Sequence, residues 1–328
     1  MALANTTLLE HLQTPALIVR ERQVSFANVA ARSLLGNHIV GEDVRVAIRD
    51  PDAVAAILAE SGGSATVRGL SVDGSVWEVD CSIVGADERL VNLYDRSVEV
   101  RTARAHADFV ANASHELRTP LATILGYVET LENSRAGGDE ETRLRFLETI
   151  RHEAQRMQAL VSDLMSLSRI EAIKHEAPRS RVDLAEVARS VVGEFGSQVA
   201  IELETNRDDI AVMGDRAQLA QVLRNLVDNA KKYGKSGGTI SVTLEASPTG
   251  WVLLAIRDEG EGISPEHLPR LTERFYRADT SRSRAAGGTG LGLSIVKHIV
   301  ERHRGRFDLA SRQGRGTTAT IMLPLAPE

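Results

Sequence analysis

Two apolar seams at helical spacing dominate the middle of the chain, residues 96–174, where glycine is almost absent. The first seam consists of Leu117, Leu121, Ile124, Val128 and Leu131. The second consists of Leu147, Ile150, Ala154, Met157, Val161 and Leu164. Alternating spacings of three and four residues are typical of coiled-coil helices. The Gly137–Gly138 pair between the seams breaks the helix, so the pattern predicts an antiparallel helical hairpin. One hairpin leaves both seams poorly covered, which favours a dimeric four-helix bundle; a plain packing or signalling stalk is the alternative.

The regions on either side of the hairpin follow different patterns. Residues 1–95 alternate short apolar runs with turn residues, which predicts a small α/β module. We expect a strand, turn and strand over 15–28, a helix over 52–60, and further strands over 64–72, 75–84 and 88–94. A polar linker is expected over 173–183. Residues 183–328 then alternate strands and helices with frequent glycine, which is the pattern of an α/β sandwich. The chain is therefore predicted to be a multidomain α+β protein.

Charge and composition exclude several classes of function. The 328 residues carry a net charge of −6, which argues against direct nucleic-acid binding through a basic surface. The longest apolar run, Ala53–Ala59, is far shorter than the roughly 20 residues of a membrane-spanning helix. The single cysteine, Cys81, excludes an internal disulfide and a multi-cysteine metal site, and we expect it to be buried. The N-terminus does not resemble a secretory signal. We expect a cytoplasmic chain, or the cytoplasmic part of a membrane-anchored protein whose anchor lies upstream.

A polar stripe lies beside the core-facing side of the predicted helix over 216–233, neither fully buried nor turned to solvent. Asn225, Asn229 and Lys232 lie at i, i+4 and i+7, beside the apolar face. Carboxamide oxygens suit Mg²⁺, and lysine supplies a point charge for phosphate oxygens. The stripe is compatible with a phosphate–Mg²⁺ site, although a solvated helix flank would have the same pattern.

Two glycine-rich segments follow this helix. Asp258 ends an apolar strand, and Gly260 and Gly262 allow the backbone to turn and to approach a ligand closely. The segment 287–303 runs from a glycine-rich loop into a helix N-terminus, where backbone N–H groups favour anions. No Lys-Ser or Lys-Thr follows the glycines, so the segment is not a Walker A loop, and a Rossmann site is not indicated. A preceding loop with Arg277, Arg282 and Arg284 has the composition of a lid that closes over phosphates.

His115 stands out in the first helix of the hairpin. It lies between two seam positions, is followed by Glu116, and shares a helical face with Thr119. Pro120 cannot donate a backbone hydrogen bond to the carbonyl of Glu116, which should loosen the turn that carries the histidine. A lone helical histidine is usually structural, but this combination favours a functional role.

Taken in order, these segments resemble the sequence boxes of sensor histidine kinases. The H-box is resembled by FVANASHELRTPLATI and the N-box by QVLRNLVDNAKKY. The G1 box is resembled by DEGEGI, the F-box by ERFYRAD and the G2 box by GGTGLGLSIVKHIVE. The closing glycine-strand segment is resembled by GRGTTATIMLP. The boxes cover about two-thirds of the chain and are most similar to the phosphate-sensor subgroup. Only Leu271-Thr272, next to the lid, departs from the usual pattern.

The resemblance implies a dimerisation and phosphotransfer hairpin over 96–174 and a Bergerat-type ATP-binding domain over 183–328. His115 would accept the terminal phosphate of ATP, and Glu116 would assist removal of its ring proton. Phosphate would then pass to a receiver-domain aspartate of a response regulator. Thr119 matches the position that orients water for removing phosphate from that partner.

The resemblance also assigns the nucleotide site. Asn229 would ligate Mg²⁺, with Asn225 nearby on the polar side of the phosphates. Lys232 and Arg277 would reach phosphate oxygens, and Asp258 would bind the adenine amine. The residues implied to line the nucleotide or to shape its pocket and lid are Tyr233, Gly260, Gly262, Gly288, Gly290, Leu291 and Gly292.

The N-terminal region, chiefly PALIVRERQVSFANVAARSLLG, resembles a PAS sensor domain. Its isolated histidines, His11 and His38, are not expected to bind haem. The segment 96–108 is expected to continue as a helix into the H-box. Two alternatives stay open for the whole chain, namely an ATPase or chaperone of the wider Bergerat superfamily and a catalytically silent scaffold. The H-box argues against the first, and the intact N, G1 and G2 boxes argue against the second.

Overall fold

A computed structural model of the protein describes residues 7–85, 87–132, 139–173, 176–196, 199–278 and 288–327. The chain forms two compact units, Met1–Ala111 and Asn112–Glu328. The predicted lid arginines Arg282 and Arg284 and the predicted helix break at Gly137–Gly138 lie outside the described residues.

The first unit is built on a five-stranded antiparallel sheet with the order β2-β1-β5-β4-β3. Its strands are β1 (Ala16–Arg20), β2 (Gln23–Ala27), β3 (Gly63–Arg68), β4 (Val76–Ile83) and β5 (Glu88–Asp95). Its short helices, inserted between β2 and β3, are α1 (Val29–Leu35), a 3-10 turn (Asn37–Ile39), α2 (Val44–Ala47) and α3 (Pro51–Leu58). The expected strands and the expected helix are thus confirmed, with ends shifted by a few residues.

Asn28 joins the start of helix α1 to the sheet of this unit. Its Oδ1 accepts hydrogen bonds from the N–H of Ala31 (2.9 Å) and of Ala16 (3.0 Å), so it caps the helix and anchors strand β1 together. Cys81 is buried, as expected, and burial raises the pKa of its thiol. His11 and His38 are both exposed.

Two long helices form the predicted hairpin. Helix α4 (Ser97–Glu132) runs through Pro120 and includes the expected helical segment before the H-box, and helix α5 (Glu140–Ala172) begins at the cap residue Asp139. Glu116 contacts Arg156, and the rings of Tyr127 and Phe146 lie 5.0 Å apart. The residue numbers in these pairs rise in one helix as they fall in the other, so the helices are antiparallel.

The rest of the second unit is an α/β sandwich. A five-stranded sheet has the order β11-β12-β10-β9-β7, with only β7 and β9 parallel, and β6 and β8 form a separate pair. The strands are β6 (Ser180–Asp183), β7 (Ile201–Thr205), β8 (Ala211–Gly214), β9 (Ile240–Ala246), β10 (Trp251–Asp258), β11 (Arg306–Arg312) and β12 (Gly316–Pro324). The helices are α6 (Leu184–Phe195), α7 (Arg216–Tyr233), a 3-10 turn (Leu268–Arg270) and α8 (Gly292–Arg302).

Helices α6 and α8 both pack against α7, which in turn packs against β9 and β10. The apolar side of α7 is buried, whereas Asn225 and Asn229 on its polar stripe are half-buried. One expectation was wrong, since residues 180–183 at the end of the supposed linker form strand β6. These four residues pair with β8. The strand was not expected because the four residues are mostly polar.

Among the helices of the described residues, none is long and apolar enough to cross a membrane. The hairpin helices reach the necessary length but carry too many charged residues.

His303 fixes the end of helix α8 to the start of helix α7. Its Nδ1–H donates to the carbonyl of Ile299 (2.7 Å), and its Nε2 accepts from the N–H of Asp215 (3.0 Å), the residue that caps α7. Burial, the largest cause, lowers the pKa of His303, because the charged ring would lie out of water and could no longer accept from Asp215.

We therefore expect the stability of this unit to fall in mild acid. Because the folded-state pKa of His303 lies below the unfolded value of 6.5, the unfolded chain binds more protons as the pH drops below that value. His303→Gln should lower the free energy of unfolding near pH 7.5 by about 1–3 kcal/mol and flatten its decline below pH 6.5. Urea unfolding between pH 5 and 8 measures this, with the exposed His152→Gln as the control. An unchanged pH profile in His303→Gln would contradict the assignment.

Candidate active site

The H-box residues lie on helix α4. His115 is exposed, and Thr119, one turn later, donates its hydroxyl to the carbonyl of His115 (3.3 Å). Glu116 is half-buried between two arginines, Arg156 of α5 at 3.3 Å and Arg277 at 3.1 Å. The side chains of both arginines are more than nine-tenths buried. The imidazole of His115 is thus open to an incoming group, whereas the carboxylate of Glu116 is held by its two arginine partners.

Arg277 connects this helix to the glycine-rich loop. Besides Glu116, its guanidinium donates to the carbonyl of Gly288, the first described residue of that loop. The resemblance implies that Arg277 reaches phosphate oxygens; in this structure its guanidinium is instead engaged by a carboxylate and a carbonyl. A carboxylate is a common substitute for phosphate as a partner of arginine, so both roles suit the same side chain.

The polar stripe of helix α7 faces the start of helix α8. The side-chain amide of Asn225 donates to the carbonyl of Gly292 (3.3 Å), and a Cβ on Gly292 would lie 3.8 Å from that side chain. Asn229, one turn later, is half-buried. The Lys232 ammonium pairs with Asp228 at 2.6 Å, and Tyr233 is partly exposed. The two asparagines of the stripe are thus partly covered, Asn225 by the start of helix α8, whereas Lys232 and Tyr233 lie at the exposed end of helix α7.

Asp258 closes the other end of helix α7. Its side chain is buried, and its Oδ1 accepts from the N–H of Gly260 at 2.8 Å. Burial raises the pKa of this carboxyl group, an effect partly offset by backbone N–H donors from Gly260 and Thr317. A small pocket lies beside it, lined in part by Ala230, Gly234 and Glu259. A buried carboxylate at the base of a pocket can recognise an amine donor on a ligand.

Three of the predicted glycines, Gly260, Gly262 and Gly290, lie where a side chain cannot fit. A Cβ on Gly260 would lie 2.1 Å from the carbonyl oxygen of Tyr233, and one on Gly262, at φ 69°, would lie 2.1 Å from that of Arg312. Gly290, at φ 73°, lies against Phe275, whose N–H donates to the carbonyl of Gly290 (2.9 Å). These close approaches hold the loops that form the cleft.

Leu291 holds the start of helix α8 in the core, since its side chain is fully buried. Its backbone N–H donates to the hydroxyl of Thr289 (3.3 Å), which in turn donates to Asp163 of helix α5 (2.7 Å). Sequence reasoning missed Thr289, Asp163 and Arg156. The available signal was charge among the seam positions of α5, since Arg156 and Asp163 each stand directly beside an apolar seam residue.

The donor set of this cleft suits a nucleotide with a magnesium ion. Asn225 and Asn229 supply amide oxygens, Lys232 supplies a positive charge, and the helix N-terminus at Gly292 supplies backbone N–H groups. Within the described part of the chain, no group of three or more His, Cys, Asp or Glu residues could hold a metal ion. Magnesium commonly takes one or two ligands from protein and the rest from phosphate and water.

Two protein families match segments of this chain. Residues 105–173 match the family described as His Kinase A (phospho-acceptor) domain. Residues 214–327 match the family of histidine kinase-, DNA gyrase B- and HSP90-like ATPases. The first match covers the hairpin with His115, and the second covers the cleft between helices α7 and α8.

Two relatives are similar over most of the chain. The phosphate regulon sensor protein PhoR of Pseudomonas aeruginosa is 39% identical over 245 residues, which is 73% of this chain and 54% of that protein. The sensor-like histidine kinase SenX3 of Mycobacterium tuberculosis is 35% identical over 316 residues, 94% of this chain and 72% of that protein. The chain thus spans about half the length of the first relative and about seven-tenths of the second.

Solved structures share the fold. The histidine kinase AdeS of Acinetobacter baumannii is 25% identical, covers 65% of this chain and 98% of its own, and has a TM-score of 0.51. The histidine kinase ThkA, solved in complex with the response regulator protein TrrA, is 20% identical, with 98% of both chains covered and a TM-score of 0.55. The second likeness concerns the fold alone.

The packing at Gly260 provides a test of the cleft. Gly260→Ala would force the Tyr233 carbonyl and the Asp258 carboxylate to move, since its Cβ would lie 2.1 and 2.8 Å from them. We expect ATP affinity to fall about tenfold or more.

Gly193→Ala is the matched control, because Gly193 is exposed on helix α6 with nothing within 4 Å of its Cβ position. It should leave binding unchanged and raise stability by up to about 1 kcal/mol. Calorimetric titration with ATP measures affinity, and unchanged binding by Gly260→Ala would contradict this description.

Proposed function

Because the chain belongs to the sensor histidine kinase family, with a phosphate-regulon sensor among its relatives, we propose that it phosphorylates its own His115 with ATP. The phosphate then passes to an aspartate of a response regulator. The contact of Arg277 with Glu116, the neighbour of His115, carries the proposal, because it joins the ATPase-like part of the unit to the phospho-acceptor helix.

The chemistry requires a nucleophile, a proton acceptor and charge neutralisation. A neutral imidazole nitrogen of His115 attacks the terminal phosphorus, an N–P bond forms, and the P–O bond to ADP breaks. The ring proton passes to the Glu116 carboxylate, which lies on the neighbouring residue. Glu116 must first give up at least one of its two arginine partners. If Glu116 releases Arg277, that guanidinium can bind phosphate oxygens.

The nucleotide would lie in the cleft between helices α7 and α8. Asp258 would accept a hydrogen bond from the adenine amine, with Tyr233 alongside. Lys232 would leave Asp228 to bind phosphate, and the loop of Gly288, Gly290, Leu291 and Gly292 would surround the phosphates. Asn229 would hold Mg²⁺, with Asn225 beside it; the ion, when bound, neutralises phosphate charge.

We propose that two copies of the chain associate through their hairpins. Several apolar side chains of helices α4 and α5 are exposed in the single chain, namely Leu121, Leu125, Val128, Leu147, Val161 and Met165. A second hairpin would cover them and complete a four-helix bundle.

The first unit, with its five-stranded antiparallel sheet and inserted helices, is proposed to be a PAS-like sensor module. Helix α4 begins two residues after its last strand, and we propose that this helix carries a change in the sheet toward the H-box. We place the proposed activity in the cytoplasm, for a free chain or for the cytoplasmic part of a membrane-anchored kinase. A response-regulator receiver domain is the proposed partner; ThkA was solved with such a regulator.

A second activity, removal of phosphate from the regulator, is favoured by the position of Thr119. Its hydroxyl is exposed one turn after His115, so a partner docked at His115 also meets it. A hydroxyl there can orient a water molecule toward a phospho-aspartate.

His115→Gln should abolish autophosphorylation and leave ATP affinity unchanged, since the side chain is exposed and lies on the hairpin. Incubation with γ-labelled ATP should give acid-labile, alkali-stable label on wild type only. His152→Gln is the matched control, because His152 is also exposed on the hairpin and also precedes a glutamate, at 3.8 Å. Label that persists in His115→Gln, or disappears in His152→Gln, would show that the acceptor has been misassigned.

Thr119→Ala should slow dephosphorylation of the regulator about tenfold or more while autophosphorylation stays near normal. The measurement starts from purified phosphorylated regulator, to which kinase and ADP are added. Thr123→Ala is the control, because Thr123 makes the same type of hydrogen bond to the carbonyl four residues earlier (3.2 Å). Equal rates for wild type and Thr119→Ala would assign the hydroxyl to helix packing.

A further inference from the structure

Asp163 is the acidic residue of helix α5 that lies against the glycine-rich loop. Its Oδ2 accepts the hydroxyl of Thr289 at 2.7 Å, and the same hydroxyl accepts from the N–H of Leu291 at 3.3 Å. The side chain of Asp163 is half-buried. A residue of the hairpin thus occupies a donor of the loop that starts helix α8.

The charged residues near Asp163 include Lys232 of the proposed phosphate site and its ion-pair partner Asp228. Burial raises the pKa of its carboxyl group, the hydrogen bond from Thr289 and the charge of Lys232 lower it, and the charge of Asp228 raises it. Lys232 itself pairs with Asp228 at 2.6 Å. Two carboxylates therefore share the field of one lysine beside the loop.

We propose that Asp163 competes with the terminal phosphate of ATP for Thr289 and Lys232, so that the hairpin itself weakens ATP binding. The inference rests on the proposed function, which assigns the cleft to ATP. Asp163 belongs to the hairpin that carries His115, and the phosphate destined for His115 is the terminal one. Competition should therefore act on ATP and much less on ADP.

This competition couples nucleotide binding to contact between the hairpin and the cleft. ATP that displaces Asp163 removes one polar contact of helix α5, whereas others remain, such as Ser166 with Gln221 and Glu171 with Arg274. By linkage, loss of the Asp163–Thr289 contact strengthens ATP binding to the same degree that bound ATP disfavours that contact. After transfer, ADP does not reach Asp163, and the contact with Thr289 forms again.

The test compares two charge-removing variants of the hairpin in the full chain. Asp163→Asn keeps the size of the side chain and an acceptor for Thr289 but removes the charge. Glu171→Gln is the matched control on the same helix, since Glu171 pairs with Arg274 and lies 3.6 Å from His298. Calorimetric titration with Mg²⁺-ATP and with Mg²⁺-ADP gives the four dissociation constants beside those of wild type.

Asp163→Asn should bind ATP about fivefold more tightly, as expected for removal of one like charge near a surface site, with less than about twofold change for ADP. Glu171→Gln should leave the affinities for ATP and for ADP unchanged. Asp163→Ser should give the same gain in ATP affinity. It replaces Asp163→Asn in the test if that variant folds poorly.

Three results would overturn the inference. They are unchanged or weaker ATP binding by the Asp163 variants, an equal gain for ADP, and the same gain in Glu171→Gln, which would reflect general loosening of the hairpin. A wild-type chain that binds no ATP would instead overturn the proposed function on which the inference rests.

Discussion

The burial of one face of helix α5 determines the positions of the polar groups around the candidate site. Leu160, Leu167 and Ile170 are buried, although much of the same helix is exposed, and α5 packs against α8. Each such side chain contributes about 1.5–3 kcal/mol through burial. Because a helix is stiff, fixing these three residues also fixes Asp163, Ser166 and Glu171 on neighbouring faces, where they meet Thr289, Gln221 and Arg274. The apolar contact therefore selects which polar contacts can form.

Glu116 lies at the centre of the second set of contacts. It is the proposed proton acceptor for His115, and it also binds Arg156 and Arg277. The same carboxylate oxygen, Oε2, accepts hydrogen bonds from both guanidinium groups and is occupied while both ion pairs are formed. Chemistry at His115 therefore requires this arrangement to open, and the structure corresponds to a state in which the hairpin and the cleft are joined and the acceptor is restrained.

The contacts of Arg277 with Glu116 and Gly288 leave part of its guanidinium unsatisfied. Its Nε is buried, and among the residues that the structure describes it has no hydrogen-bond partner. A buried donor without a partner costs about 1–3 kcal/mol, so the guanidinium is incompletely satisfied by Glu116 and Gly288. Phosphate oxygens would offer it more acceptors. The same reasoning applies to Lys232, whose ion pair with Asp228 is partly exposed and therefore of small net benefit.

Local rules in the sequence were sufficient for the hairpin, for helix α7 and for the glycine-rich motifs, but not for strands β6 and β8 or helix α6. The spacing of Leu219, Val222, Leu223 and Leu226 predicted both helix α7 and its polar stripe, and glycines 260, 262 and 290 lie where a Cβ would collide with backbone. Helical periodicity and the lack of a side chain act over a few residues, so they can be read from the chain directly. Strand β6 escaped prediction because its pairing with β8 joins segments about 30 residues apart and does not depend on an apolar pattern.

The partners of the functional side chains were decided only by the tertiary structure. Nothing in the sequence around Glu116 indicates Arg156, 40 residues later, or Arg277, 161 residues later. Likewise, Asp163 appeared as one more charge beside an apolar seam, and its contact with Thr289 spans 126 residues. A charged side chain pairs with whatever the packing of apolar faces brings near it. The sequence by itself therefore determined which residues could do chemistry, and the packing of α5 against the α/β sandwich determined which of them meet.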